Sequence, residues 1–216
     1  MKKLLLILAC VLAMGATAPA ERDEAQYTAD ITKRADDIIA LLHISDSAQA
    51  DKVRGVIVTQ YRSLRSLQDA RDAKIKDLGD DKDAIANAKA DTAAQVKQLH
   101  EKYLANLADA GLSPQQIETV KDKMVYGKVK VTYDAYNEIY GPLTPEQQSH
   151  MMDLLKQARE EAMDGGSSQE KDLIFKKYKG KINIYLSGQG INMKQMEKAW
   201  GEKQKAKRAA TTKSVA

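Results

Sequence analysis

The chain has 216 residues, with 34 Lys and Arg against 30 Asp and Glu, three His and a single cysteine. A formal net charge of +4 is too near balance for the basic surface that nucleic-acid binding requires. One cysteine excludes an internal disulfide framework, so stability must come from an ordinary hydrophobic core.

Lys2 and Lys3 precede an apolar run from Leu4 to Met14, which is followed by the small residues Gly15-Ala16-Thr17-Ala18-Pro19-Ala20. This is the layout of a secretory signal peptide. Cleavage is expected after Ala20, because a cut after Ala18 leaves Pro19 at the new N-terminus. The run has eleven residues, against the roughly 20 needed for a membrane-crossing helix. The order Ile7-Leu8-Ala9-Cys10 invites a lipoprotein reading, but only six apolar residues precede Cys10 and a better site lies ten residues on. The expectation is an exported chain, periplasmic or extracellular, with no cysteine and no span after cleavage. It keeps 32 Lys and Arg against 30 Asp and Glu, a net charge of +2.

Helical periodicity dominates from there. Ile31, Ala35, Ile38, Ile39 and Leu42 form one apolar stripe, and Val53, Val56, Ile57, Tyr61, Leu64 and Leu67 form a second. The second pattern predicts a helix over about 46–78, roughly 50 Å long at 1.5 Å per residue. After Gly79-Asp80-Asp81, a third pattern over about 82–110 carries Ile85, Ala88, Thr92, Val96, Leu99, Tyr103 and Leu107. Two long helices joined by so short a turn must run antiparallel. The acidic cluster Asp77, Asp80, Asp81 and Asp83 lacks the twelve-residue calcium-loop spacing and reads as a cap on the third helix.

Beyond Gly111 the helices shorten, and each start carries a capping signal. Ser113-Pro114-Gln115-Gln116 and Thr144-Pro145-Glu146-Gln147 are full capping boxes with proline at the first helical position. Ser167-Ser168-Gln169-Glu170, Asn192-Met193-Lys194-Gln195 and Asp46-Ser47-Ala48-Gln49 repeat the pattern. Val125 to Val131 alternates around Gly127 and reads as a loop or short strand before a helix over 133–140. Residues 203–216, rich in Lys, Ala and Thr, read as a frayed, flexible basic tail. The expected fold is all-α, one helical domain over 21–202 in which a long antiparallel hairpin (46–110) packs with a bundle of shorter helices (113–202).

No phosphate loop, nucleophile elbow or His-Glu-x-x-His pair is present. His150 shares a helical face with Glu146 and Asp153, a face that reads as solvated. Glu160, Glu161 and Asp164 are the carboxylates nearest to an acid-base pair, with Lys156 one turn away to neutralise Glu160. No catalytic residue, metal ligand or cofactor is assigned. Tyr126, Tyr133, Tyr136 and Tyr140 fall within fifteen residues, the last three on one helical face. Such rings suit a polyhydroxylated ligand, although the same spacing serves a core stripe. Lys177, Tyr178, Lys179 and Asn183 extend the candidate set, and the lysines around Tyr178 and Tyr185 form a basic patch that favours an acidic glycan.

Four stretches carry a resemblance: Met124-Val125-Tyr126-Gly127 through Val131-Thr132-Tyr133, Leu143 to Gln147, Ala158 to Ser168, and Lys177 to Leu186. Together they resemble a secreted family of unknown function that carries a sugar-binding label and occurs in polysaccharide-degrading bacteria. The resemblance implies an exported, non-catalytic carbohydrate-binding protein with a glycan as partner, and it brings no catalytic residue onto this chain. Leu143-Thr144-Pro145-Glu146-Gln147 is also similar to the Leu-Thr-x-x-Gln motif of small periplasmic helical chaperones. Those letters are equally what a capping box with an N-terminal proline requires. A chaperone or assembly factor, with Met151-Met152 as adaptable surface, is thus the alternative function, and a glycan-active enzyme the third.

Overall fold

The computed structural model describes residues 19–214. The leader expected over 1–20 falls, up to residue 18, outside the described residues. The fold is all-helical: α1 (Pro19–Ile39), α2 (Ser47–Asp77), α3 (Lys82–Asp109), α4 (Pro114–Met124), α5 (Lys128–Tyr140), α6 (Pro145–Met163), α7 (Ser168–Gly188) and α8 (Met193–Ser214). The most extensive pairings are α2 with α3 and α6 with α7, two antiparallel hairpins. The second meets the first where Gln68 and His100 reach Asp164, and α4 and α5 pack against α6.

The apolar stripes become the core. Ala35, Ile38, Val53, Ile57, Tyr103 and Leu107 are buried and join Val120, Met124, Leu155, Phe175 and Ile182 in one contiguous cluster. Met151 belongs to it too, so it is core rather than adaptable surface. The hairpin does not bury its whole length, since the last buried residue of α2 is Leu64. Between there and the turn, α2 and α3 meet over small residues, of which Ala88 and Thr92 are buried.

The caps form as their letters demand. Ser113 and Thr144 each accept from the third backbone N–H of their helix, while Gln116 and Gln147 accept from the cap N–H in return. Asp81 caps α3 through the Ala84 N–H. Asn192 accepts from the Gln195 N–H and Ser167 from the Glu170 N–H. Asp46 accepts from Ala48 instead of Gln49. The Gln49 side chain donates to the Ala110 and Gly111 carbonyls, locking the entry of α2 to the exit of α3.

Two expectations are corrected. Val125 to Val131 contains no strand: the chain turns through Tyr126 and Gly127, both at positive φ, and helix α5 already begins at Lys128. Alternation over three residues is too short to outweigh the helical stripe Val129, Tyr133, Tyr136 and Tyr140. Residues 203–214 are no irregular tail but the last turns of α8. Their Lys and Ala are strong helix formers, and Trp200 and Gln204 both donate to Glu138 Oε1 of α5, at 3.0 and 2.8 Å.

Candidate functional site

The turn from α6 into α7 organises two cavities. Asp164 ends α6, Gly165 and Gly166 make the reversal, and Ser167 caps α7. The turn is pressed against α2, where Gln68 Nε2 donates to the Asp164 carbonyl at 3.2 Å. A Cβ on Gly166 would stand 1.6 Å from Gln68 Oε1, so any other residue there would displace the Gln68 side chain from the turn. Gly166 N–H donates to Glu170 Oε2 at 2.6 Å, which closes the turn.

On one side lies a groove of about 950 Å³ between the α2–α3 hairpin and the α6–α7 hairpin. Ile75, Ala93, Val96, Leu173 and Ile174 give it apolar walls, and Arg71, Asp72, Lys89, Lys97 and Glu161 a charged rim. Its inner end is an ion network. His100 Nδ1 lies 3.1 Å from Asp164 Oδ1 and Nε2 lies 3.5 Å from Glu160 Oε2. Hydrogen bonding to Asp164 and then Glu160 pushes the His100 imidazole up to about 9, against the opposing effect of burial. Burial alone would raise the Glu160 carboxyl, but His100, Arg159 and Lys121 together hold it down at about 2. Arg159 is itself buried, with Nη1 2.7 Å from Asp122 and Nη2 2.6 Å from Glu118. Lys156, expected to neutralise Glu160, has no part in this network.

On the other side of the turn lies a cavity of about 460 Å³ lined by Tyr27, Tyr61 and Tyr126, by Arg34, Arg65 and Lys171, and by Ser167 and Ser168. Tyr27 hydroxyl donates to the Tyr61 carbonyl at 2.9 Å, and the Arg65 guanidinium stacks 4.1 Å from the Tyr27 ring centroid. Lys171 is buried, its ammonium donating to the carbonyls of Met124 (3.1 Å) and Met163 (3.4 Å). Desolvation brings its pKa down to about 8. Tyr126 is 48 % exposed at φ 59°, a left-handed backbone that is an outlier for a bulky residue. Such conformations persist where the surroundings enforce them and cluster at functional sites. The two cavities share Gln68, Arg71, Asp72, Gly165 and Glu170 in their walls and so adjoin at the turn as a two-part recess.

Of the eight site residues read from the sequence, only Tyr126 lines this recess. Tyr136 and Tyr140 are buried, their rings 5.2 Å apart. Tyr136 hydroxyl bonds the Lys179 carbonyl (3.2 Å) and Asn183 Oδ1 (2.5 Å), and Tyr140 hydroxyl bonds Glu197. Tyr133 donates to Gln148 at 3.1 Å. Tyr178 is buried as well, with Lys177 and Lys181 over its ring at 5.4 and 4.1 Å. Lys177 pairs with Glu161 at 2.9 Å, and Lys179 and Asn183 lie on the exposed side of α7. The tyrosine stripe is therefore the buried face of α5. His150 stacks on Tyr185 at 4.0 Å, and among the described residues no group of three or more His, Cys, Asp or Glu is placed to hold a metal ion.

Sequence reasoning missed Arg34, Lys171, His100 and Gln68. For Lys171 a signal existed: it stands on the stripe Lys171, Phe175, Tyr178, Ile182 and Leu186, the buried face of α7, where a lysine is unexpected.

A family model for proteins of unknown function, DUF3826, matches residues 28–206. The chain belongs to this family. The matched span takes in both hairpins and, apart from Tyr27, all the residues that line the recess. No curated protein matches the chain. Membership in DUF3826 brings no activity with it, so the functional argument rests on the recess.

Proposed function

We propose that this is an exported, non-catalytic protein that binds a carbohydrate in the recess around the Gly165–Ser168 turn. The observation that carries the reading is the tyrosine-lined cavity that shares a wall with an open groove. Tyr126 presents a half-exposed ring at its mouth. A tyrosine face packs against sugar C–H groups, while nearby polar side chains take the hydroxyls. Gln68, Arg71, Asp72, Ser167 and Ser168 supply those donors and acceptors. The groove is long enough in volume for more than one sugar unit.

Binding without turnover fits the two ion-paired groups at the inner end of the groove, His100 and Glu160. A general acid or base works best with a pKa near the operating pH. His100 at about 9 and Glu160 at about 2 are both held away from it by their partners. Export rests on the leader pattern of Lys2 to Ala20.

Glycan-array screening of the purified protein, followed by calorimetry on the hits, tests this reading. Binding to at least one glycan, lost in Tyr126→Ala, supports it; no binding to any neutral or acidic glycan overturns it. A second reading, a helical chaperone, is favoured by the apolar groove walls, where Leu173 is exposed on α7. It requires suppression of client aggregation at near-stoichiometric amounts, and inactivity in that assay removes it.

A further inference from the structure

We infer that the smaller cavity is the subsite for a negatively charged group on the ligand, a sugar carboxylate or sulfate ester, held by Arg34 and Lys171. The inference rests on the carbohydrate reading for the rest of the ligand and on the charge pairing of the cavity for the anion.

Four cations and three carboxylates line this cavity, and most pair off. Arg65 lies 3.5 Å from Asp69 and 3.3 Å from Glu24, Arg71 lies 2.8 Å from Asp72, and Glu170 accepts from the Gly166 backbone. Arg34 and Lys171 are left. Arg34 makes no hydrogen bond or ion pair among the described residues, and it lines the same cavity as Lys171. Lys171 is 97 % buried and meets only two backbone carbonyls. These carbonyls end α4 and α6, and no carboxylate among the described residues lies within ion-pair distance of the ammonium, a costly setting for a buried charge. Burial is the main cause of the depressed Lys171 pKa; the Asp164 and Glu170 carboxylates oppose it, and the Arg34 charge adds to it. An anion between the two relieves both costs at once.

The surroundings suit the same occupant. Ser167 and Ser168 line the cavity at the start of α7, whose first-turn N–H groups favour negative charge. Tyr126, at the mouth, is placed to pack on the ring that bears the charge. A neutral sugar fits the aromatic wall but leaves both cations unmatched.

The test is calorimetry on the full chain with an oligogalacturonate, a sulfated oligosaccharide, a neutral oligogalactoside and, as a separate probe, inorganic sulfate. At least one acidic oligomer is expected to bind about tenfold or more tighter than the neutral one, with an advantage that shrinks as salt is added. Whichever of the first two binds better identifies the acidic group as carboxylate or sulfate. Arg34→Gln, at an exposed position that does not threaten folding, should remove most of the advantage, and Lys171→Met, checked for its fold by circular dichroism, should do the same. Equal affinity for neutral and acidic oligomers overturns the anion subsite and leaves the carbohydrate reading standing. Binding of inorganic sulfate that depends on Arg34, with no oligomer bound, upholds the subsite and overturns the carbohydrate reading. If neither sulfate nor any oligomer binds, both fall.

Discussion

The imidazole of His100 on α3 lies 3.1 Å from the carboxylate of Asp164, the residue that ends α6, and this contact ties the long hairpin to the turn that shapes the recess. Because the folded His100 titrates at about 9 against an ordinary 6.5, its contribution is fully present below pH 6.5 and disappears as the pH rises through 9. The effect amounts to about 3 kcal/mol at most. Lys171 acts in the opposite direction, since its folded pKa of about 8 lies below the ordinary 10.5 and stability rises as the pH passes between them. The informative quantity is therefore the difference between wild type and His100→Asn. Urea midpoints from about pH 6 to about pH 10 should show the variant roughly 2 kcal/mol weaker at the acid end and converging with wild type at the alkaline end. Parallel curves would refute the ion pairing.

Tyr103 is buried in α3, and its hydroxyl finds no hydrogen-bond partner among the described residues. A phenol placed this way carries a desolvation cost with no return. Tyr103→Phe keeps the ring and removes the oxygen, so thermal or urea unfolding should show equal or greater stability, by about 1 kcal/mol. A loss of more than about 1 kcal/mol reveals a partner for the hydroxyl.

Tyr126 separates strain from function. At φ 59° a glycine is at ease and a β-branched residue is not. Tyr126→Gly should unfold within about 1 kcal/mol of wild type, whereas Tyr126→Ile should cost about 2 kcal/mol. Both should bind glycan less tightly. If Tyr126→Gly is the less stable of the two, the ring contributes to the fold and not to the recess.

Arg159, buried among Glu118, Asp122 and Glu160, answers three carboxylates with one guanidinium. Its removal strands negative charges at the junction of α4 and α6. Breaking a fully buried pair costs about 3–5 kcal/mol. Because these carboxylates are part-exposed, Arg159→Met should fall at or just below that range, about 2–3 kcal/mol by urea unfolding. Unchanged stability would show that solvent already screens the cluster.

Much of the fold was legible because it is written in local terms. The stripe of Ile31, Ala35, Ile38 and Leu42, the hairpin and the capping boxes each depend on residues within a few positions of one another. The site was not legible, for the converse reason. Its lining comes from residues 27–75, 89–100, 126 and 160–174, and no spacing rule links Arg34 to Lys171 or Gln68 to Gly166. The tyrosines misled because one stripe of α5 satisfies two descriptions, and burial decided between them: Tyr136 and Tyr140 face the core, whereas Tyr126, just ahead of the helix, reaches the recess. Residues 203–214 misled through their lack of apolar spacing, which says nothing of a helix held by side-chain bonds such as that from Gln204 to Glu138.

The hairpin end past Leu64 has a mechanical consequence. About 20 Å of α2 extends from that last buried residue to the turn, and it forms one wall of the groove while contributing little to the shared core. That wall is carried by its partner α3 and by the Gln68 bond to the Asp164 carbonyl, so the width of the groove depends on a few polar contacts rather than on the packing of the core.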